Sequence, residues 1–517
     1  MSDSSKKRSE EFLKISGQFK LGALVTESSH PVTANLSDVA KQDIAAALKL
    51  LFDVDDDVIR KYREFVESGR AVEIKEVVLC VLQNGGRIFF TGCGSTGRLS
   101  ILLDSVWRDF WLKHGNADYE NRTFSVMAGG DFALIKSVEG FEDFTAFGKK
   151  QIADLGVSED DVVFAITEGG ETSFVIGTAW QGVEVGAKVY FVYNNPDDIL
   201  CEHVERSREV IQDSRIEKIN LTTGPMAITG STRMQATSIQ LCVMLTILEM
   251  AARDLLGKDS AGVPKEFLAK LEEMHATLKS PAVLTQLAEL VAMEESVYRS
   301  GHKNNYFAER FGIDVLTDTT ERSPTYCTPP FRKFDDTTAT ESWAFLFLPQ
   351  TETPDAWRGI LKREPRCVEW SKEEIRTLVG PEKFAATLET IRKISRAELM
   401  RFRIGWGDMK HRPLGKCDCA VAVVAERASR SLVSPSGFYH IQLDAAHQAG
   451  ARNGLVYFGS ENSIPEIRKL TTDWNAVCVN IFVPVPQTQF LLDGVTRVAV
   501  KLVMNALSPA RWCGSVA

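Results

Sequence analysis

The chain has 517 residues, of which 44% are hydrophobic and 25% are charged. This mixture is typical of globular proteins and excludes a wholly disordered chain, and the length predicts two or three domains. Acidic residues outnumber basic ones by 69 to 60, giving a net charge of −9, which argues against a nucleic-acid partner.

No targeting segment, membrane span or metal site is predicted. Residues 1–14 are polar and charged and lack the apolar core of a secretory signal. The longest apolar stretch, 239–252, is interrupted by polar side chains and is too short to span a bilayer. The ten cysteines form no CxxC pair, and histidines do not cluster. We therefore expect a cytoplasmic protein without a metal, a cofactor or a membrane partner.

The first half of the chain alternates between helix and strand patterns. Residues 1–75 show helical spacing, with Asp38 as a candidate N-cap. Short apolar runs at 87–91, 161–166 and 188–192 are typical of strands in a parallel sheet covered on both faces. A helical pattern follows at 231–256.

The second half of the chain shows the same alternation of helix and strand patterns. Apolar runs at 314–316, 343–348, 419–424, 455–458 and 477–483 predict strands, and 491–507 predicts a closing helix. Both halves end in a helix that begins Thr-Arg, at 232–233 and 496–497, which suggests two copies of one fold. We predict an α/β protein with an N-terminal helical segment (1–75), a first domain (76–260) and a linking helix with a second domain (261–517).

A glycine-rich loop, GCGSTGR at 92–98, follows the first predicted strand and opens a helix. Its glycines let the backbone turn tightly, and Ser95 and Thr96 add hydroxyl donors where the helix dipole favours an anion. The GxGxxG spacing also fits a dinucleotide fingerprint, but no acidic residue ends a clear second strand about twenty positions later. A plain glycine-rich turn is the structural alternative.

A second polar loop, TEGGETS at 167–173, follows the next predicted strand. Alone, a capped turn explains it equally well. Two such loops at successive strand ends of one sheet together predict a ligand crevice.

Four segments carry a family resemblance. In order and spacing, GCGSTGRLSILLDS, MAGGDFALIKSVEGFED, TEGGETSFVIG and GPMAITGSTRM resemble the sugar isomerase (SIS) domain of N-acetylmuramic acid 6-phosphate etherases and of the related glucokinase regulatory protein. The N-terminal LVTESSHPVTANL matches their opening segment, so the resemblance covers residues 20–258. In the second half, LTDTTERSPTY and KLVMNALS are similar more faintly. The resemblance implies two tandem SIS-type, flavodoxin-like domains, as in the glucokinase regulatory protein. We expect no counterpart of that protein's C-terminal helical lid.

The resemblance also implies the site residues. It places a sugar phosphate against Gly94, Ser95, Thr96, Gly97, Gly170, Thr172, Ser231 and Arg233. A capped helix start is the alternative for the last two. It maps one catalytic glutamate onto Glu139, whereas the other would fall at Val106. We hypothesise that Glu321 replaces it from the second half, across a pseudo-dimer interface. A structural cap or ion pair is the alternative for Glu321.

Departures from the family pattern favour binding over catalysis. Gly169 stands where the family has a serine, Met226 replaces a glutamate, and Gln235 replaces a lysine. We therefore expect a sensor or regulator of sugar-phosphate metabolism that binds a hexose or amino-sugar 6-phosphate, with a protein partner if it is a regulator. The alternative is a carbon–oxygen lyase that releases lactate from N-acetylmuramic acid 6-phosphate through Glu139 and Glu321. A sugar-phosphate isomerase is a third option, and both a monomeric pseudo-dimer and a homo-oligomer stay open.

Overall fold

The computed structural model describes Lys6, Ser9, Glu10, Leu13 and residues 21–138, 140–474 and 476–515. Within these ranges, ten strands form two five-stranded sheets. The first sheet contains β1 (Ile88–Gly92), β2 (Thr123–Met127), β3 (Val162–Ile166), β4 (Lys188–Tyr193) and β5 (Ile216–Asn220). The second contains β6 (Asn304–Ala308), β7 (Ala344–Phe347), β8 (Cys419–Ala425), β9 (Arg452–Gly459) and β10 (Val479–Pro484).

Helices connect and cover the strands. Before and within the first sheet they are α1 (Leu36–Gln42), α2 (Ile44–Val54), α3 (Asp56–Glu67), α4 (Arg70–Gln83), α5 (Gly94–Lys113), α6 (Ala117–Glu120), α7 (Thr145–Ala153), α8 (Ser173–Glu184), α9 (Asp197–His203), α10 (Glu205–Gln212) and α11 (Gln235–Leu255). Two linking helices follow, α12 (Val263–Leu278) and α13 (Pro281–Arg299). Around the second sheet lie α14 (Gly312–Tyr326), α15 (Thr353–Leu361), α16 (Lys372–Lys393), α17 (Arg396–Leu399), α18 (Arg430–Val433), α19 (Phe438–Gln448), α20 (Ile464–Trp474) and α21 (Gly494–Ser515).

Both sheets are parallel and have the same topology. The strand orders are β2-β1-β3-β4-β5 and β7-β6-β8-β9-β10. In register, Ile88 pairs with Thr123 on one side and Val162 on the other, and Asn304 pairs likewise with Ala344 and Cys419. This order is that of the flavodoxin-like doubly wound fold. The predicted fold class of two tandem α/β domains is therefore confirmed.

Two local predictions were wrong. The apolar run 314–316 is not a strand but lies near the start of α14, where Val315 and Leu316 are buried as part of a helix face and Asp314 pairs with Arg497 (2.6 Å) on α21. Asp38 does not cap a helix, since α1 begins at Leu36 and Asn35 occupies the cap position.

The two halves, defined here by their sheets, share one interface. Arg363, which follows α15 in the second half, inserts between Asp104 on α5 (3.0 Å) and Asp131 (2.6 Å) of the first half. The C-terminal helix α21 packs on α11 and on α1 and α2, so the N-terminal helices also join both halves. In the described part of the chain α11 alone is long and apolar enough to cross a membrane, and that stretch is wholly buried within the protein.

Candidate functional site

The glycine-rich loop lies where strand order reverses between β1 and β3, at the carboxyl edge of the first sheet. Ligands of doubly wound folds bind at such a point. The N-terminal segment 21–35 lies over this edge. Its Thr26 N–H donates to Asn195 Oδ1 (3.2 Å), and Thr33 Oγ1 donates to the Ala227 carbonyl (2.7 Å).

The loop backbone is fixed by its glycines. Gly94 has φ +52°, and a Cβ on Gly97 would lie 2.5 Å from Met127 Cγ. The Thr96 hydroxyl is used inside the loop, because it accepts from the Cys93 N–H (3.1 Å) and donates to the Cys93 carbonyl (2.9 Å). Thr96 thus caps α5, while Ser95 lines a cavity next to it.

Glu168 accepts a hydrogen bond from a backbone N–H at this helix start. Its carboxylate accepts the backbone N–H of Thr96 at 3.1 Å, and the side chain is buried. Burial raises the pKa of Glu168 to about 8, helped by the charges of Glu321 and Glu171. The carboxyl group is therefore protonated near neutral pH, and a neutral acid sits at the loop.

The second polar loop adds hydroxyls and further carboxylates. Gly170 has φ +82°, and its N–H lies 3.3 Å from Thr167 Oγ1, which contacts Thr172 Oγ1 at 3.1 Å. Burial raises the pKa of both Glu171 and Glu27 at this edge. A raised pKa favours the neutral form of a carboxyl group, which lessens the repulsion that an anionic ligand meets.

A cavity of about 40 Å³ lies beside Ser95, between the halves. It is enclosed by side chains of α5, α11, α14 and α21 and by the turn before α11. The charged or hydroxyl-bearing residues that matter here are Ser95, Arg98, Arg233, Asp318, Glu321 and Lys501.

Arg233 is the most unusual of these residues. Its side chain is only 3% exposed, and its Nη1 donates to Asp318 at 2.7 Å. Its Nε and Nη2 are buried without an acceptor among the described residues. Ser231 Oγ, two residues earlier, is buried and equally lacks a partner there. Buried donors of this kind point to a ligand that supplies acceptors.

Glu321 lies on α14 and forms an ion pair with Arg98 of α5, so it joins the two halves. Arg98 also donates from Nε to the Leu134 carbonyl and to Thr320 Oγ1, both at 3.2 Å. Glu139 lies outside the described residues. The geometry of the proposed Glu139–Glu321 pair is therefore still a prediction.

Lys501 on α21 reaches the same cavity. Its Nζ donates to the Arg233 carbonyl at 2.9 Å. Burial, followed by the charge of Arg233, lowers the pKa of Lys501 to about 8. The ammonium group therefore loses its proton more easily than that of an exposed lysine, and a bound anion would stabilise its charged form.

The residues that depart from the family pattern serve the core. Val106 is buried in α5, and Met226 is fully buried. Gln235 accepts from the Ala227 N–H (2.8 Å) and donates to Asp55 Oδ1 (3.0 Å). Burial raises the pKa of Asp55 to about 7.

Sequence reasoning missed Arg98, Glu168 and Lys501. Arg98 and Glu168 lie within the two motifs that were singled out, but their spacing gave no sign that they pair with groups far away along the chain. Lys501 had a signal in the sequence. It is the first residue of KLVMNALS and the only charged residue in an otherwise apolar stretch.

Comparisons with known proteins show which proteins the chain is similar to. A family model described as the glucokinase regulatory protein N-terminal SIS domain matches residues 71–181. N-acetylmuramic acid 6-phosphate etherases from Yersinia pestis (strain Pestoides F) and Yersinia pseudotuberculosis (serotype O:1b) are each 32% identical over 239 residues, which cover 46% of this chain and 73% of theirs.

Solved structures also align along most of the chain at low similarity. A putative tagatose-6-phosphate ketose/aldose isomerase from Clostridium novyi NT aligns with 93% of this chain and 88% of its own, with 8% identity and a TM-score of 0.43. A putative phosphosugar isomerase from Clostridium difficile 630 aligns with 89% and 92%, with 10% identity and a TM-score of 0.41.

The duplicated flavodoxin-like fold, with a glycine-rich loop at the first switch point, defines a tandem SIS-domain protein. The chain belongs to the SIS family that contains the N-acetylmuramic acid 6-phosphate etherases and the glucokinase regulatory protein.

Proposed function

We propose that the protein binds a hexose or amino-sugar 6-phosphate between its halves and acts as a sensor or regulator of sugar-phosphate metabolism. Arg233 carries this proposal, because its buried guanidinium has two nitrogens without an acceptor in the described chain. Leaving such donors unpaired costs free energy, and a phosphate group would supply charged acceptors. The etherase relatives, named for a phosphorylated amino sugar, support the same ligand class.

The small cavity favours a sensor. Its volume is about 40 Å³, whereas pockets for small molecules usually measure about 300–1,000 Å³. A sugar phosphate would therefore enter only if α5 and α14 move apart, because the Arg98–Glu321 pair closes the space between them. Ligand binding would then change how the halves contact each other, and a protein partner touching both halves would respond to that change.

Thermal unfolding with glucosamine 6-phosphate, fructose 6-phosphate and N-acetylmuramic acid 6-phosphate tests the ligand class, with the unphosphorylated sugars as controls. At a ligand concentration 100 times Kd, we expect about 2.7 kcal/mol of stabilisation. Arg233→Met should lose it, and Asp318 would still be paired with Arg322 (2.9 Å) in that variant. Arg215→Met, on an exposed arginine paired only at the surface with Asp213, should keep it. Stabilisation by none of these phosphates, or equal stabilisation of Arg233→Met, would contradict the proposal.

A lyase is the second candidate. Glu168, with its raised pKa, and Glu321, paired with Arg98, lie at the same site in different environments. Two carboxyl groups with different surroundings can divide acid and base roles in an elimination. Incubation with N-acetylmuramic acid 6-phosphate should then release lactate, and the release should disappear in both Glu168→Gln and Glu321→Gln. The predicted Glu139–Glu321 pair instead requires loss of release in Glu139→Gln and Glu321→Gln. Binding of the ligand without release of lactate would rule out the lyase and favour the sensor.

A further inference from the structure

The second half also has a crevice at its topological switch point. There the strand order reverses between β6 and β8, as it does between β1 and β3. A cavity of about 360 Å³ lies over the carboxyl ends of β6, β8, β9 and β10. In the first half the N-terminal segment 21–35 covers the equivalent edge, through contacts such as Thr26 with Asn195. The second crevice has a volume within the usual range for small-molecule sites.

This crevice adjoins another cavity. The second space measures about 290 Å³ and lies between α5 of the first half and the start of α14 and end of α15 in the second. Arg310 and Arg427 line both cavities, so their guanidinium groups stand at the passage between them. Arg310 lies two residues after the end of β6, in the position where the first half has its glycine-rich loop.

The cations at this passage outnumber the carboxylates that pair with them. Arg310 Nε (2.8 Å) and Arg427 Nη1 (2.8 Å) both contact Asp493. Asp109 likewise binds two lysines at once, Lys113 (2.5 Å) and Lys362 (3.0 Å). Each carboxylate can neutralise only one of its two partners.

The excess of cations lies on the side of the 290 Å³ cavity, where five basic side chains and only two carboxylates, those of Asp109 and Glu309, form the lining. Glu426 accepts from both the N–H (2.6 Å) and the hydroxyl (3.1 Å) of Ser460, so backbone and hydroxyl donors hold it. Glu309 is exposed at the rim. The pKa of Lys113 is lowered by burial and then, against the opposing effect of Asp109, by the charges of Arg310 and Lys362, which shows that these cations are close enough to repel one another.

We propose that the crevice binds the phosphate group of a second phosphorylated small molecule, with Arg310 and Arg427 as its ligands. A guanidinium group presents a planar fork of donors that matches phosphate oxygens. Arg427 is the more exposed of the two, since its side chain is 54% exposed and forms an ion pair with Asp493 through Nη1. The rest of the ligand, beyond its phosphate group, would lie in one of the two cavities that adjoin the passage. This site is separate from the one proposed between Ser95 and Lys501.

Isothermal titration of the 517-residue chain with pyrophosphate, inorganic phosphate and fructose 6-phosphate tests the proposal. We expect Arg427→Ala to weaken binding of at least one probe by about tenfold or more, as for loss of a charged hydrogen bond. Arg430→Ala is the matched control, because Arg430 is exposed three residues further on and lines neither cavity. Arg233→Met removes the first site and should leave this binding unchanged.

Three results would overturn the proposal. These are the absence of any Arg427-dependent binding of the three probes, equal weakening by Arg427→Ala and Arg430→Ala, and loss of the same binding in Arg233→Met. The second result would indicate nonspecific attraction to surface charge. The third would place the phosphate at the first site, whose own test does not involve Arg427.

Discussion

The Glu168 carboxylate lies 3.1 Å from the backbone nitrogen of Thr96 and accepts its hydrogen bond at the first turn of α5. This N–H is one that a helix start offers to an anionic ligand. A side chain of the protein therefore already uses one of the backbone donors with which the glycine-rich loop could bind an anion. A phosphate group bound there has to displace Glu168 or share the loop with its neutral form.

The raised pKa of Glu168 predicts a pH-dependent stability. Its pKa is about 8 in the folded protein, against 4.5 for a glutamate side chain in an unfolded chain. The stability it contributes is thus fully present below pH 4.5 and is lost as the pH rises through 8. Glu168→Gln should remove this dependence and gain roughly 2–4 kcal/mol relative to the wild type between pH 5 and 9.

Urea unfolding across that pH range measures the difference. The matched control is Glu159→Gln, on an exposed glutamate of the same half. If the stability curves of wild type and Glu168→Gln stay parallel from pH 5 to 9, Glu168 does not have a raised pKa.

Lys501 predicts proton uptake when a sugar phosphate binds. Its pKa is lowered to about 8, by burial first and then by Arg233. A bound phosphate would raise this pKa again, so the protein should take up a proton near pH 8, and affinity should fall above that pH. Calorimetry in two buffers of different ionisation enthalpy measures this uptake. Lys501→Met should abolish it, and uptake that persists in this variant would assign the proton to another group.

The Arg363 junction predicts a large loss of stability. Its guanidinium is 5% exposed and is bound by Asp104 and Asp131 of the other half. Arg363→Ala would leave buried carboxylates short of a partner, and we expect a loss of about 3–5 kcal/mol. Arg358→Ala, on the exposed face of α15, should change stability by about 0.5 kcal/mol or less. Chemical denaturation of both variants tests the contrast, and similar losses would refute it.

The close packing of the glycine-rich loop predicts that Gly97 tolerates no side chain. An added Cβ would lie 2.5 Å from Met127 Cγ and 3.1 Å from the Gly92 carbonyl oxygen. Gly97→Ala should destabilise the protein by about 1–3 kcal/mol through overpacking. Gly262→Ala, with no atom within 4 Å of its Cβ, is the control and should be neutral or slightly stabilising. An equally neutral Gly97→Ala would show that the loop can relax.

Apolar runs revealed seven of the ten strands in the described chain, because buried parallel strands are almost continuously hydrophobic. Three strands escaped this pattern. β5 (Ile216–Asn220) is a polar edge strand, and β2 (Thr123–Met127) has alternating polar residues. β6 begins with Asn304 and Asn305, whose buried amides bond to Glu294 (2.6 Å) and to the Arg412 carbonyl (3.5 Å). Arg412 lies 107 positions from Asn305, and a strand that begins with two buried amides does not show as an apolar run.

Only those parts of the candidate site that lie in local sequence motifs were predictable from the sequence. The sequence located the loop and the second polar loop, because glycine and hydroxyl residues at strand ends form a local pattern. The pairing of Arg98 with Glu321 joins residues 223 positions apart, and that of Arg233 with Asp318 joins residues 85 positions apart. Both depend on how the two halves pack, which residue spacing does not encode.

Hydrogen–deuterium exchange with and without the three sugar 6-phosphates tests the central claim, that a sugar phosphate binds between the halves. One or more of the ligands should slow exchange in the first turn of α5 and at 231–237, with a change in α14 as the halves rearrange. The unphosphorylated sugars should have no effect. Unchanged exchange at all three places with every ligand, or protection confined to the second half, would contradict the account.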